Sequence, residues 1–226
     1  MLDRERHLLV VKQLLRAIYG DPELSAQLVF KGGTALMLFH GLKRFSTDLD
    51  FDLNGSVTDI DFAHLTKLVK KQLDVRDSAQ KMNTYLLQGS YETGRQQIKI
   101  EISRRRFPQR YSLEGFLGLS IPVLAREYLL AHKLCAITTR KAMQNRDIYD
   151  ADFMLKKNWE ANAEVIELRA QMSVPDYLRL LLGKMDSPAV ATNIMRGLGE
   201  VLDQDERAWA RENLIKSFKE QLLLRL

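Results

Sequence analysis

At 226 residues, with 46% hydrophobic and 28% charged side chains, the chain has the composition of a globular protein with a buried core, enough for one large domain or two small ones. No apolar run is long enough to span a bilayer, and the start from Met1 to His7 lacks the basic, apolar and small-residue regions of a secretory signal. The net charge of +5 favours anionic partners, and the single Cys135 excludes an internal disulfide; a cytoplasmic protein with no membrane partner is expected.

Leu8, Leu9, Val11, Leu14, Leu15 and Ile18 recur at helical spacing and predict an amphipathic helix from Leu2 to about Tyr19, stopped by Gly20-Asp21-Pro22. Leu28-Val29-Phe30 is a short apolar lead into Gly32-Gly33, and Thr34 to about Leu42 is a short helix ended by Gly41. Asp48 to Leu53 reads as a strand, with Leu49, Phe51 and Leu53 on one side and Asp48, Asp50 and Asp52 on the other. Asn54-Gly55 closes it, and a helix from about Asp59 to Leu73 follows. Tyr85–Gln88 and Gln97–Ile102 read as two strands joined by a glycine-containing turn. Past Pro122 the pattern predicts helices at about 123–140, 146–156, 160–171, 175–184, 188–203 and 206–225. The chain thus reads as an α/β half (1–115) followed by an all-helical half (116–226), with the join near Phe107–Pro122. Cys135, the methionines, Trp159 and Trp209 read as core, and His7, His40, His64 and His132 are scattered without metal-ligand spacing.

The chemistry-bearing residues follow a particular order. A glycine pair opening a helix presents unpaired backbone N–H groups at the positive end of the helix dipole, which suits a phosphate. Asp48 and Asp50 share a strand face, where like charges repel unless cations separate them. On a later strand, Glu101 shares a face with Lys99 opposite three isoleucines, and is a candidate third carboxylate. Such a set can hold Mg²⁺ or Mn²⁺ against the phosphates of a nucleotide. Arg104, Arg105, Arg106 and Arg110 form a basic cluster after that strand, a contact for RNA phosphates or a solvated turn. A metal-dependent nuclease would use similar acids but leaves the glycine turn unexplained. A non-catalytic nucleotide- or nucleic-acid-binding protein is a further alternative.

Phe30-Lys31-Gly32-Gly33-Thr34-Ala35-Leu36, Arg44-Phe45-Ser46-Thr47-Asp48-Leu49-Asp50-Phe51, Lys133 and Arg146-Asp147-Ile148-Tyr149-Asp150 resemble, in order, the four motifs of the AbiEii/AbiGii-type nucleotidyltransferase toxins, within the DNA polymerase β-like superfamily. The resemblance implies an α+β fold: a polymerase β-like core with a small mixed sheet, then a helical half that completes the active-site cleft. It implies that Gly32, Gly33 and Thr34 grip an NTP triphosphate with help from Arg44 and Ser46, and that Asp48 and Asp50 are metal ligands. Lys133 is expected to contact nucleotide phosphate. Asp147 is expected to orient Lys133 or accept a proton from the acceptor, or else simply to cap its helix, with Asp150 the lesser candidate. The implied reaction transfers a nucleoside monophosphate to an acceptor hydroxyl, the tRNA 3′ end by likeness to some relatives, or a protein as in AMP-transferring enzymes. A cognate antitoxin is implied as a partner.

Overall fold

The computed structural model describes residues 3–55, 57–92, 97–140, 142–187, 190 and 193–226. Their contacts divide the chain into two compact units, one formed by residues 1–41 and 45–124, the other by 42–44 and 125–226.

The first unit is built around a mixed seven-stranded sheet. Its elements are α1 (Arg4–Tyr19), α2 (Pro22–Gln27), β1 (Leu28–Lys31), α3 (Gly32–His40), β2 (Leu49–Leu53), α4 (Phe62–Val69) and β3 (Asp74–Lys81). They are followed by β4 (Thr84–Ser90), β5 (Gln97–Ser103), β6 (Tyr111–Phe116) and β7 (Leu119–Leu124). The strand order is β3-β4-β5-β2-β1-β7-β6. β2 runs antiparallel to β1 and parallel to β5, which sets Asp50 opposite Lys31 on one side and Glu101 on the other.

Local signals explain most of these boundaries. Asp3 caps α1 by accepting from the Arg6 N–H at 3.0 Å, and the apolar stripe Val10, Val11, Leu14, Leu15, Ile18 is buried. Gly20-Asp21-Pro22 does stop α1, but it also starts α2: Asp21 accepts from two backbone N–H groups and Pro22 occupies the first turn, where no N–H partner is missed. Gly41, with φ of +76°, ends α3 in a left-handed cap. The core joins α1, α2 and α4 to the inward side chains of the sheet, among them Phe30, Phe51, Tyr85, Ile98, Ile100 and Ile102.

Three features depart from the sequence reading. β3 is an edge strand with a polar, mostly exposed sequence, so no apolar alternation announces it. The expected join over 107–122, and the expected division at 115/116, fall on the β6–β7 hairpin, and the units part after Leu124. Pro122 is tolerated inside β7 because β1 is matched to β7 at one residue pair, Phe30 with Val123, and asks for few ladder bonds. The glycine-containing turn expected between β4 and β5 lies, over 93–96, outside the described residues.

The second unit contains α5 (Arg126–Thr139), α6 (Asn145–Lys156), α7 (Ala163–Ala170), α8 (Val174–Met185) and α9 (Gln204–Leu223). The helix expected over 188–203 falls partly outside the described residues, and 193–201 is a run of turns. Residues 42–44 belong here through ion pairs: Lys43 Nζ lies 2.6 Å from Glu206 on α9, and Arg44 holds Asp150 on α6. Cys135 is fully buried and burial raises its pKa, as suits a small hydrophobe and not a nucleophile. Trp159 is core, whereas Trp209 is half-buried with Lys156 Nζ 4.0 Å above its ring. Met154 and Met185 are core too, but Met82, at the β3–β4 turn, is almost fully exposed.

Candidate active site

In the first unit the glycine turn and the acidic strand meet directly. Gly32 follows β1 with φ of +82°, and a Cβ built there would lie 2.3 Å from Asp50 Oδ2. Only glycine fits, because any side chain would collide with that carboxylate and strain the backbone as well. Lys31, the N-cap residue of α3, gives the first turn no side-chain hydrogen bond and instead pairs with Asp52 at 2.5 Å. The α3 N-terminus is thus left without a cap from its own N-cap side chain, in the manner of an anion-binding helix end.

Lysines stand beside two of the three aspartates, Asp48 and Asp52, and offset their mutual repulsion. Lys31 neutralises Asp52, which is buried and so is not a ligand-facing residue. Lys99 Nζ lies 3.1 Å from Glu101 Oε2 and 3.9 Å from Asp48 Oδ2. Burial works against the charged Lys99, but Glu101 and Asp48 outweigh it and raise its pKa. Glu101 is therefore next to Asp50 in register yet engaged by Lys99. Asp48 itself precedes β2 by one residue instead of opening it. Thr34, fully buried, donates its hydroxyl to the Asp48 carbonyl, so its side chain braces the acidic loop. Ser46 and Gly33 are buried close by in sequence.

Among the described residues, no three His, Cys, Asp or Glu side chains gather into a group that could hold a metal. Asp48 and Asp50 nevertheless fit Mg²⁺, which takes one or two protein carboxylates and completes its shell with water and phosphate oxygens. The tight seat of the Asp50 carboxylate against Gly32 supports that fit, since it sets a hard oxygen donor beside the N-terminal turn of α3.

The second unit gathers the other candidates into one buried network. Lys133 Nζ lies 2.9 Å from Asp147 Oδ1 and 2.7 Å from Asp150 Oδ2. Arg44 grips Asp150 with Nε at 2.5 Å and its second guanidinium nitrogen at 2.7 Å, and Arg140 Nε is 2.9 Å from Asp147 Oδ2. Both carboxylates are fully buried. Burial pushes the Asp150 pKa up, but Arg44 and Lys133 overcome it and hold the group below the ordinary carboxylate range. Burial likewise disfavours charged Lys133, and Asp150 and Asp147 overcome it to raise its pKa. Three cations against two carboxylates leave one positive charge in excess, which suits an anion.

This arrangement revises several roles. Asp147 is not the helix cap: Gln144 precedes α6, and Asp147 sits in the first turn with its carboxylate on Lys133. Asp150, given the lesser place by sequence, is the centre of the network. Arg44 is 3% exposed and holds Asp150 instead of facing outward. In the basic cluster, Arg106 donates to the Gly55 and Val57 carbonyls, and Arg104 stacks over Tyr85 at 4.8 Å. Arg105 and Arg110 are exposed.

A family model described as the nucleotidyl transferase AbiEii toxin of a type IV toxin–antitoxin system matches residues 13–217. The chain belongs to this family. It is accordingly a nucleotidyltransferase of the AbiEii toxin group, and membership implies a cognate antitoxin. Curated protein sequences give no significant match. Among solved structures, JHP933 from Helicobacter pylori is similar at 23% identity and a TM-score of 0.58, over 98% of this chain and 95% of that one. A second H. pylori crystal structure, of a protein assigned as a nucleotidyltransferase, gives 23% identity and a TM-score of 0.60 over 98% of both chains. An antigenic nucleotidyltransferase-like protein from Paracoccidioides brasiliensis gives 16% and 0.53, over 84% of this chain and 92% of that one. These likenesses establish the α+β nucleotidyltransferase fold. Among the described residues no helix is long and apolar enough to cross a membrane.

Proposed function

We propose that this AbiEii-family toxin transfers a nucleoside monophosphate from an NTP to the 3′ end of a tRNA, releasing pyrophosphate. The observation that carries the reading is the contact of the Asp50 carboxylate with the Gly32 turn, which couples a metal-ligand strand to a phosphate-binding helix end. The N–H groups at Gly32 and Gly33 bind triphosphate oxygens, and Thr34 and Ser46 shape the turn. Asp48 and Asp50 would hold the divalent cation, and Glu101, paired with Lys99, would be a third ligand. When bound, that cation supplies charge neutralisation on the triphosphate and acidifies the acceptor hydroxyl. The acceptor O–H passes its proton to solvent water, its oxygen bonds to the α-phosphorus, and the bond to the pyrophosphate oxygen breaks in line, pyrophosphate leaving with the electron pair. Lys133, oriented by Asp147 and Asp150, contributes positive charge toward nucleotide phosphate. Arg105 and Arg110 contact RNA phosphates.

The test is incubation with each labelled NTP, Mg²⁺ and total RNA. Label is expected on tRNA with the wild-type protein and is lost in Asp48→Ala. Label on protein instead would assign a protein acceptor, and no transfer by a protein that binds NTP would overturn the reading.

A further inference from the structure

Asp48 lies outside the paired register of β2, which begins with Leu49 opposite Ile100, whereas Asp50 is held between Lys31 and Glu101. Two side chains from separate helices secure the peptide groups on either side of Asp48 instead. Thr34 on α3 donates to the Asp48 carbonyl. His7 on α1, forty positions earlier than Thr47, places Nε2 at 3.0 Å from the Thr47 carbonyl oxygen. A carbonyl only accepts, so Nε2 carries the proton, and in the neutral ring Nδ1 accepts from the Tyr91 hydroxyl at 3.0 Å. The imidazole is fully buried and meets the rings of Phe45 and Tyr91 edge-on, each at 5.6 Å between centroids. Both its nitrogens and its plane are therefore fixed.

We propose that His7, oriented by Tyr91, is a positioning residue that fixes the Asp48 carboxylate for divalent-cation binding. The inference rests on Asp48 being a metal ligand, as in the function proposed above. Losing the Nε2–H donor frees the peptide between Thr47 and Asp48 to rotate, which swings the carboxylate while leaving the glycine turn in place. Outer partners that hold metal ligands are typically worth about 10–100-fold in metal affinity or activity.

The experiment measures Mn²⁺ affinity of the full chain by electron paramagnetic resonance, beside kcat and KM for NTP, with circular dichroism to verify folding. His7→Leu, which keeps an apolar side chain but removes the donor, is expected to weaken Mn²⁺ binding about 10–100-fold and to lower kcat with KM for NTP little changed. His7→Gln, whose amide can donate to the Thr47 carbonyl, is expected to recover most of the affinity, and Tyr91→Phe to lose affinity in the same direction by a smaller factor. Wild-type Mn²⁺ affinity in folded His7→Leu, or a loss that His7→Gln does not recover, overturns the proposal. Should His7→Leu not fold, unchanged affinity in Tyr91→Phe overturns it. Asp48→Asn separates the two layers: no loss of Mn²⁺ affinity there sinks the metal-ligand assignment itself, while a loss there with none in His7→Leu sinks the role of His7 alone.

Discussion

Gly32 and Gly41 bracket α3 with φ of +82° and +76°, but a Cβ at Gly41 would meet nothing within 4 Å. Alanine at either position therefore incurs the same left-handed backbone cost of about 1–2 kcal/mol. Gly32→Ala alone also displaces the Asp50 carboxylate. It is expected to abolish label transfer, while Gly41→Ala lowers the melting temperature and keeps transfer. Asp150 offers a second test. Asp150→Asn leaves Arg44 and Lys133 buried without their shared carboxylate, so denaturant unfolding should show a loss of about 3–5 kcal/mol. Because the folded pKa of Asp150 is lowered, its contribution is present above the unfolded value near 3.9 and is lost as pH falls through the folded value. The acid limb of the stability curve should accordingly flatten in Asp150→Asn. The glycine turn opening α3 and the acidic strand that follows it were legible from residue type and spacing. Arg44 was not: an arginine beside a phosphate motif reads as a phosphate contact, and nothing local reveals a carboxylate 106 positions away.

Among the elements, those with an apolar face or a long helical composition were legible, and the polar outer strands were not. The stripe of α1 and the alternation of β5 announced themselves, and the caps Asp3, Asp21 and Gly41 sit at the helix ends. β3 and β6 are the outer strands, half paired and largely exposed, so selection for a buried face does not mark their sequences. Between α2 and α4, His64 Nε2 bonds Asp21 at 2.7 Å. The Asp21 hydrogen bond is the main cause raising the His64 pKa, so the stabilisation it gives is complete below the unfolded value near 6.5 and is lost as pH rises through the folded value. An NMR titration should place His64 above the ordinary histidine value and show it fall back in Asp21→Asn. Asn at that position still caps α2, so a titration unmoved by the substitution would remove Asp21 as the cause.

For the whole molecule, the two units follow the compositional change along the chain, although β6 and β7 extend the sheet unit to Leu124 and residues 42–44 join the helices. The proposed RNA contact is also decided at this scale. Arg104 and Arg106 are spent on Tyr85, Gly55 and Val57 of their own unit, so alanine there should lower stability. Arg105→Ala and Arg110→Ala should leave stability unchanged and each reduce the salt slope of RNA binding by about 0.7–0.9. Equal slopes in wild type and both variants would remove these arginines from the interface.

The glycine turn and the aspartate strand are written in residues a few positions apart, and the fold class and family in the order of four such short motifs along the chain. Folding in three dimensions settles which carboxylates are engaged by lysine, that Asp150 centres the Lys133 network, and that His7 holds the Thr47 carbonyl. Those pairings join positions distant in sequence, and ion pairs and hydrogen bonds of this kind leave no periodicity to read. They arise only when the chain has folded and buried charges must find partners.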